Sequence, residues 1–227
     1  ASSANGGSPS DGAIFLDVGA NATAPVYLGE WDDEYIHDGM VRGDTMYAGC
    51  INEGELFIVD VSDKSNPFTL GTRITPNAFT HNAWVSDDGN YVFTTDEKSD
   101  SYIGSYDISD MSNIQEIDRI QSNPESNSIP HNTHVDGDFL ITSWYRDGTT
   151  VHDISNPHNL VQVAFYDSYS GSGDGFDGCW GTYPFLPSGN IISSEINSSS
   201  NQSAKLMIYE RGFVQACYLE GNITDAT

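Results

Sequence analysis

The chain has 227 residues and a formal net charge of −25, because 8 Lys and Arg residues stand against 33 Asp and Glu residues. Such an excess of negative charge repels nucleic acids and anionic membranes, which argues against both as partners, and it attracts divalent cations or a basic protein. No apolar run reaches the ~20 residues of a membrane-spanning helix, so no transmembrane segment is expected. The 22 glycines and nine prolines interrupt long helices, and an all-β protein is predicted.

The predicted elements begin after an N-terminal segment rich in Ala, Ser and Gly, and residues 1–13 are expected to be flexible. Two apolar stretches, residues 14–18 and 26–30, then predict a pair of strands. Together they form a partial unit over residues 14–30, equivalent to the last two strands of a four-stranded sheet.

A short cassette recurs through the chain at intervals of about 45 residues. It is an apolar strand that ends in Asp, followed by Val or Ile, then by Ser, and then by Asp or Asn. The strands end at Asp60, Asp107 and Asp153, with a degenerate copy at Asp17. An Asp with a Ser two residues later predicts an Asx-type turn that leads into an outer strand. A period of this length is typical of the four-stranded blades of a β-propeller.

A second signal with the same period opens each unit with a His-led strand, at His37, His81 and His131. Each of these strands leads into a Gly-containing turn that favours a β-hairpin, since glycine accepts a positive φ. Complete units are therefore predicted at about residues 37–73, 81–121, 131–166 and 178–219, with a tail at 220–227. With the partial unit, this makes about four and a half blades, which is a partial ring or a ring completed by a partner.

Several of these motifs together resemble the LVIVD-repeat family, also called choice-of-anchor B proteins. The resemblance rests on the cassettes at residues 59–63, 106–110 and 152–156, on the strand at 80–84 with residues 94–97 behind it, and on the stretch 175–189. It covers residues 14–196 and implies an exported, surface-attached β-propeller with no firmly assigned reaction, secreted or at the cell surface. Beyond Ile196 the sequence departs from the family pattern.

The phased histidines are the best candidate site. The first strand of each propeller blade lines the central channel, so His37, His81 and His131 are expected near one mouth, where three imidazoles could bind zinc or copper and leave a coordination position open. The alternative is that each imidazole hydrogen-bonds to the next blade and closes the channel without a metal. Trp180 stands where a fourth His would fall, and His134 is expected to point to the opposite face of its strand from His131.

Carboxylates at the ends of second strands add to this neighbourhood. Asp96, Glu97 and Glu195 are expected to lie behind the imidazoles, where they would orient the rings or act as general bases. The alternative for all three is an exposed position in a loop.

A different cation site is suggested by the loop at residues 167–177, in which Asp, Ser and Gly alternate. Asp167, Asp174 and Asp177 offer hard oxygen ligands of the kind that calcium prefers. The order of ligands is not that of an EF-hand, and an ordinary glycine-rich connection is the alternative.

The three cysteines suit one disulfide and one free thiol in an exported chain, and the predicted disulfide joins Cys50 to Cys179. Glycosylation sequons occur at Asn21, Asn197, Asn201 and Asn222. Four sequons are close to the number that chance alone would give in a chain of this composition, so they predict a glycoprotein only weakly.

Two functions from different classes follow. The first is a noncatalytic extracellular scaffold, adhesion or assembly module that binds a protein partner, a glycan or further copies of itself. The second is a metal-binding protein or metalloenzyme that uses the histidine cluster. The sequence has no nucleophile elbow, zinc-protease helix or phosphate-binding loop, so no catalytic residue is predicted.

Overall fold

The computed structural model describes residues 12–196, 204–219 and 221. Within them the regular structure consists of strands, and there is no helix of the length and apolarity needed to cross a membrane. The strands are β1 (Ala13–Asp17), β2 (Val26–Trp31), β3 (Asp38–Arg42), β4 (Thr45–Cys50), β5 (Glu55–Asp60), β6 (Phe68–Ile74), β7 (Thr80–Val85), β8 (Tyr91–Asp96), β9 (Ile103–Asp107), β10 (Gln115–Ile120), β11 (Pro130–Asp136), β12 (Phe139–Trp144), β13 (Gly148–Asp153), β14 (Val161–Tyr166), β15 (Gly178–Tyr183), β16 (Ile191–Ile196) and β17 (Lys205–Tyr209).

These strands form five antiparallel sheets in chain order, which confirms the predicted all-β architecture of consecutive blades. The half-blade is β1–β2, and three complete four-stranded sheets follow as blade 1 (β3–β6), blade 2 (β7–β10) and blade 3 (β11–β14). Blade 4 (β15–β17) has three strands within the described residues.

The last unit therefore differs from the complete blade predicted over residues 178–219. After β17 the chain turns back onto blade 3: Arg211 pairs with Asp136, and the backbone N–H of Ala216 donates to Asp153 at 2.6 Å. The ring of Phe213 also packs against Phe139, with their centroids 4.8 Å apart. Residues 210–219 thus cover the preceding blade and do not add a fourth strand.

The recurring cassette forms the Asx turn that its residues predict. Asp60 Oδ1 accepts hydrogen bonds from the backbone N–H of Ser62 at 2.8 Å and from its hydroxyl at 2.6 Å, and Asp153 accepts the same pair from Ser155. In the third copy, Asp107 accepts from the backbone of Ser109 at 2.9 Å. Each turn reverses the chain between the third and fourth strands of a blade.

Each hydrophobic cluster lies between two neighbouring sheets, which is how the blades hold together. On β12, Leu140 packs against Phe93 and Ile103 of blade 2, whereas the next residue, Ile141, packs against Ile191 of blade 4. Successive side chains of a strand point to opposite faces, so one strand serves both interfaces. The half-blade is held in the same way, because Trp31 packs into the outer part of blade 1.

Candidate metal site at the mouth of the channel

The equivalent first positions of the four blades converge as an arc of rings. The ring centroids of His37 and His81 are 4.5 Å apart, those of His81 and His131 are 4.3 Å apart, and those of His131 and Trp180 are 5.3 Å apart. The predicted convergence of the three histidines is therefore what the structure shows, with Trp180 at the position of a fourth.

β-Bulges in the inner strands β7 and β11 help to set the positions of these rings. The pairing of β7 with β8 shifts between Thr80 and Asn82, and that of β11 with β12 shifts between Pro130 and Thr133. Such bulges re-aim side chains at functional positions. In β11 the extra residue also changes the alternation of faces, so the prediction for His134 was wrong: its side chain lines the same cavity as His131.

Beside the rings, a network of side-chain hydrogen bonds links blades 1, 2 and 3. The Asp38 carboxylate accepts hydrogen bonds from the side-chain amides of Asn82 at 3.0 Å and Asn132 at 2.6 Å. The side-chain carbonyl oxygen of Asn82 in turn accepts a hydrogen bond from the backbone N–H of Thr133 at 3.1 Å. The residues that directly follow the histidines therefore fix the spacing of the inner strands, and hence of the rings.

Glu97 is brought into this cluster by the end of β8. Its Oε2 lies 3.6 Å from Nε2 of His81, and its Oε1 lies 3.6 Å from Nε2 of His131. The Tyr145 hydroxyl donates to Oε1 at 2.7 Å and fixes the carboxylate. Glu97 was predicted to stand behind the imidazoles, but it lies between two of them as a direct candidate ligand.

The geometry of His37, His81 and Glu97 suits one metal ion. A ligand atom from each of the three lies within 4.8 Å of the other two. Two ligands of a tetrahedral zinc are about 3.4 Å apart when each bond is about 2.1 Å long. The separation of 3.6 Å between His81 and Glu97 already approaches this value. On the far side of His37, the Tyr35 hydroxyl lies 3.3 Å from Nδ1 and steadies the ring.

The buried imidazoles are in the neutral form that binds metals. Burial first, and then the nearby rings of His131 and His37, lower the pKa of His81 to about 3. Burial lowers the pKa of His131 to about 4, although Asp38 acts in the opposite direction. Burial also raises the pKa of Glu97. Desolvation thus outweighs the two close His–Glu97 contacts, and at pH 7 these contacts join neutral rings to the carboxylate.

We expect the imidazoles of His81, His131 and His134 to stay neutral in the folded protein as the pH is lowered from 8 to about 5. In the unfolded chain histidine titrates near 6.5, so the unfolded state takes up protons first and these groups lower the free energy of unfolding as the pH falls from about 6.5 toward about 4. Imidazole resonances followed by NMR, with the urea-unfolded chain as reference, measure this. Titration of all three rings near 6.5 in the folded protein would contradict it.

The cluster faces a cavity of about 610 Å³ at the channel mouth. Its wall combines the histidines, the carboxylates of Asp38 and Glu97, the amide of Asn132 and the ring of Trp180, which is 48% exposed. A cavity of this size is large enough for a small molecule beside these side chains.

The other two carboxylates predicted near the imidazoles lie elsewhere. Asp96 is fully buried and accepts hydrogen bonds from the Thr75 hydroxyl at 2.5 Å and the Asn77 backbone at 2.7 Å, so it anchors the connection between β6 and β7. Glu195 pairs with Lys205 at 2.9 Å across β16 and β17. Asp96 ends β8 and Glu195 lies within β16, whereas Glu97 directly follows β8, and a shift of one residue turns a side chain to the opposite face.

The predicted calcium ligands do not form a cluster either. Asp174 accepts from the Ser99 hydroxyl at 2.9 Å, and Asp177 forms an ion pair with Arg146 at 3.3 Å. Asp167 accepts from the backbone of Tyr169 at 2.8 Å. Two of these carboxylates thus tie the loop to Ser99 and Arg146 outside it. Among the described residues the only group of three or more His, Cys, Asp or Glu side chains with metal-ligand spacing is that of His37, His81 and Glu97.

The predicted disulfide is not formed. Cys50 is buried in blade 1, and Cys179 lies in blade 4 with its sulfur 3.4 Å from the Thr149 hydroxyl, so the two thiols lie in different blades and are both free.

Of the sequons, Asn21 lies in an exposed turn, and Asn197, Asn201 and Asn222 lie outside the described residues. Most of the predicted tail and most of the predicted N-terminal segment also lie outside them.

Comparison with known proteins supports the fold. Residues 40–75, most of blade 1, match the model of the LVIVD repeat, and no protein of curated function matches the chain in sequence.

Three solved structures illustrate the likeness. The protein resembles the periplasmic gluconolactonase PpgL of Pseudomonas aeruginosa (TM-score 0.62, 11% identity, 88% of this chain and 66% of that one) and hydrazine synthase of Kuenenia stuttgartiensis (0.65, 14%, 90% and 58%). It also resembles the Cps50 (Swd1) β-propeller domain of Myceliophteria thermophila (0.58, 11%, 83% and 62%).

The chain thus spans less than two thirds of the length of each of these three structures. At such low identity the likeness shows the fold alone. The repeated blades, the Asx-turn cassettes and the sequence match together lead to one identification: this is a β-propeller protein that carries an LVIVD repeat at residues 40–75.

Proposed function

We propose that the protein binds one transition-metal ion, zinc or copper, at the mouth of its channel through His37, His81 and Glu97. The observation that carries the proposal is the mutual approach of their three ligand atoms within 4.8 Å. These side chains come from the start of blade 1, from β7 and from the end of β8. Imidazole and carboxylate are both ligands that zinc accepts, and imidazole also suits copper.

The groups around the ligands support the same function. Metal binding requires deprotonated ligands, and burial keeps His81 neutral over the physiological pH range. Ligating carboxylates are themselves held by hydrogen bonds, which is what Tyr145 does for Glu97. His131 is placed as a positioning residue, because its Nε2 approaches the same carboxylate oxygen that Tyr145 contacts.

Three protein ligands leave a coordination position facing the cavity, the arrangement found in catalytic zinc sites rather than in closed structural ones. A metal in such a position acts as a Lewis acid and lowers the pKa of bound water. The chain's own groups would hold a small polar ligand there: the Asn132 amide offers hydrogen bonds, and Trp180 offers an exposed ring face. Among the similar structures some are named as enzymes, but the fold by itself does not transfer a reaction.

Metal titration of the chelator-treated protein tests this proposal. We expect one zinc or copper ion per chain, bound in competition with a chromophoric chelator, and weaker binding when the pH falls to about 4, because burial raises the pKa of Glu97 and its carboxylate then takes up a proton. Elemental analysis of the protein as purified provides the independent measurement. A protein that binds neither ion stoichiometrically would refute the metal-site proposal.

The sequence-based prediction of a scaffold, adhesion or assembly module remains a second proposal, and the metal-free outcome would favour it. Its specific support is the apolar surface at the two ends of the blade array. Leu16 and Val26 are exposed on the half-blade, and Leu206 and Ile208 are exposed on β17, a pattern typical of surfaces that contact another protein. The secreted or cell-surface location belongs to the same proposal.

A further inference from the structure

A second cavity, of about 320 Å³, lies on blade 3, and it shares no lining residue with the cavity at the channel mouth. Two carboxylates, Asp147 and Asp167, line it together with the hydroxyl of Thr150 and the side-chain amide of Gln162. The connection between β10 and β11 closes it on one side through Ser122. The donor set is entirely oxygen, in contrast to the imidazoles of the channel mouth.

Strand pairing explains why the two carboxylates line the same cavity. Asp147 directly precedes β13 and Asp167 directly follows β14, and these strands are antiparallel with Thr149 opposite Tyr166. The two residues therefore flank the same end of one hairpin pair. Between them Gly148 has a φ of +80°, and a Cβ there would meet the Tyr166 carbonyl oxygen at 2.1 Å, so only glycine permits this close approach.

Among the described residues neither Asp147 nor Asp167 forms an ion pair, although Lys205 lies nearby, where it donates to the Ser168 carbonyl at 3.0 Å and pairs with Glu195 at 2.9 Å. Burial raises the pKa of Asp167, and the carboxylates of Asp147 and Glu195 raise it further. The neighbouring Arg146 is directed away from the cavity, because its guanidinium donates to the Ser172 carbonyl and pairs with Asp177. Asp147 Oδ2 instead accepts two short hydrogen bonds from hydroxyls, at 2.5 Å from Ser122 and 2.6 Å from Ser126, which hold that carboxylate in place.

An unpartnered oxygen provides the independent sign of a ligand. Thr150 is 1% exposed, and within the part of the chain that the structure describes its Oγ1 has no hydrogen-bond partner although it lines the cavity. A buried hydroxyl without a partner is costly and calls for an explanation, such as an ion. Gln162 brings an amide to the same wall from the neighbouring strand.

We propose that this cavity is a calcium site, with the carboxylates of Asp147 and Asp167, the Thr150 hydroxyl and the Gln162 carbonyl oxygen as protein ligands and water completing the shell. Calcium takes six to eight oxygen ligands in flexible geometry, including carboxylates, side-chain carbonyls and water, whereas magnesium demands a near-ideal octahedron, so a mixed set of protein oxygens from two neighbouring strands suits calcium better. This site is separate from the zinc or copper site and does not depend on it. It shares Asp167 with the loop set predicted from the sequence, but not Asp174 or Asp177.

Calorimetric titration of the chelator-treated full chain with calcium chloride tests the proposal, with magnesium chloride as the comparison ion. We expect one calcium ion per chain and a calcium-dependent rise in the midpoint of thermal unfolding, since a ligand that binds only the folded state stabilises it. Asp147→Asn and Thr150→Val should each weaken calcium binding, the first by about tenfold or more. The matched control, Asp174→Asn, removes a carboxylate of the nearby loop and should bind calcium as the wild type does.

Circular dichroism establishes that each variant is folded, and if Asp147→Asn does not fold, Thr150→Val decides. A wild-type protein that does not bind calcium would overturn the proposal. So would normal calcium binding by the folded Thr150→Val and Asp147→Asn variants. A loss confined to Asp174→Asn would also overturn it, because that result would place the ion in the loop.

Discussion

His81→Ala is expected to lower the affinity for zinc by more than about 100-fold. Loss of a hydrogen-bond partner of a ligand typically costs about 10–100-fold, and this substitution removes one of three ligands outright. His81 is also the central ring of the arc, between His37 and His131, and the ring closest to Glu97 Oε2. Competition titration against a chromophoric chelator measures the loss.

His158→Ala is the matched control, because His158 is an exposed histidine that packs at the edge of Tyr91 and does not line the cavity. It should bind zinc as the wild type does. Tyr145→Phe should fall between the two, with a loss of about 10–100-fold, since it leaves Glu97 in place and removes only the hydroxyl that orients it. Equal zinc affinity for His81→Ala and the wild type would exclude His81 as a ligand.

The second large effect concerns the packing of one blade against the next. Phe93→Ala is expected to lower the free energy of unfolding by about 3–5 kcal/mol, the usual range for removing a large buried ring. Phe93 is fully buried and packs with Leu140 and Trp144 of blade 3, so the cavity would open between two blades. Urea unfolding followed by tryptophan fluorescence, with the slopes compared between variants, provides the measurement.

Phe68→Ala tests whether burial is the cause, since Phe68 is also a strand phenylalanine but is 51% exposed on the outer strand of blade 1. Its effect should stay within about 0.5 kcal/mol, as for most surface substitutions. Similar destabilisation by both substitutions would show that the interface between blades 2 and 3 is not the hydrophobic core that the structure describes.

The sequence carried the chemistry of the turns and the phase of the repeats. A carboxylate that bonds a Ser two residues later, as Asp60 bonds Ser62, is a local event, and the same local event recurs wherever the motif does. Equivalent positions in successive blades face the same axis, so the spacing of His37, His81 and His131 was enough to predict their convergence.

Contacts between blades could not be predicted from local motifs and their period. Glu97 directly follows β8 and Glu195 lies near the end of β16, yet Glu97 meets Tyr145 of the next blade and Glu195 meets Lys205 of its own. His134 was misplaced because the bulge in β11 leaves no mark that alternation alone would reveal. Both outcomes depend on register and on neighbours distant in the chain.

The sequence by itself therefore determined the blade architecture and the ring of first positions, because both follow from local hydrogen bonding repeated at a fixed period. Only the tertiary structure decided that Glu97 joins His37 and His81, that residues 210–219 cover blade 3 instead of completing blade 4, and that Asp147, Asp167 and Thr150 line one cavity. The physical reason is that each of these results depends on pairing register and on packing between segments that only folding brings together.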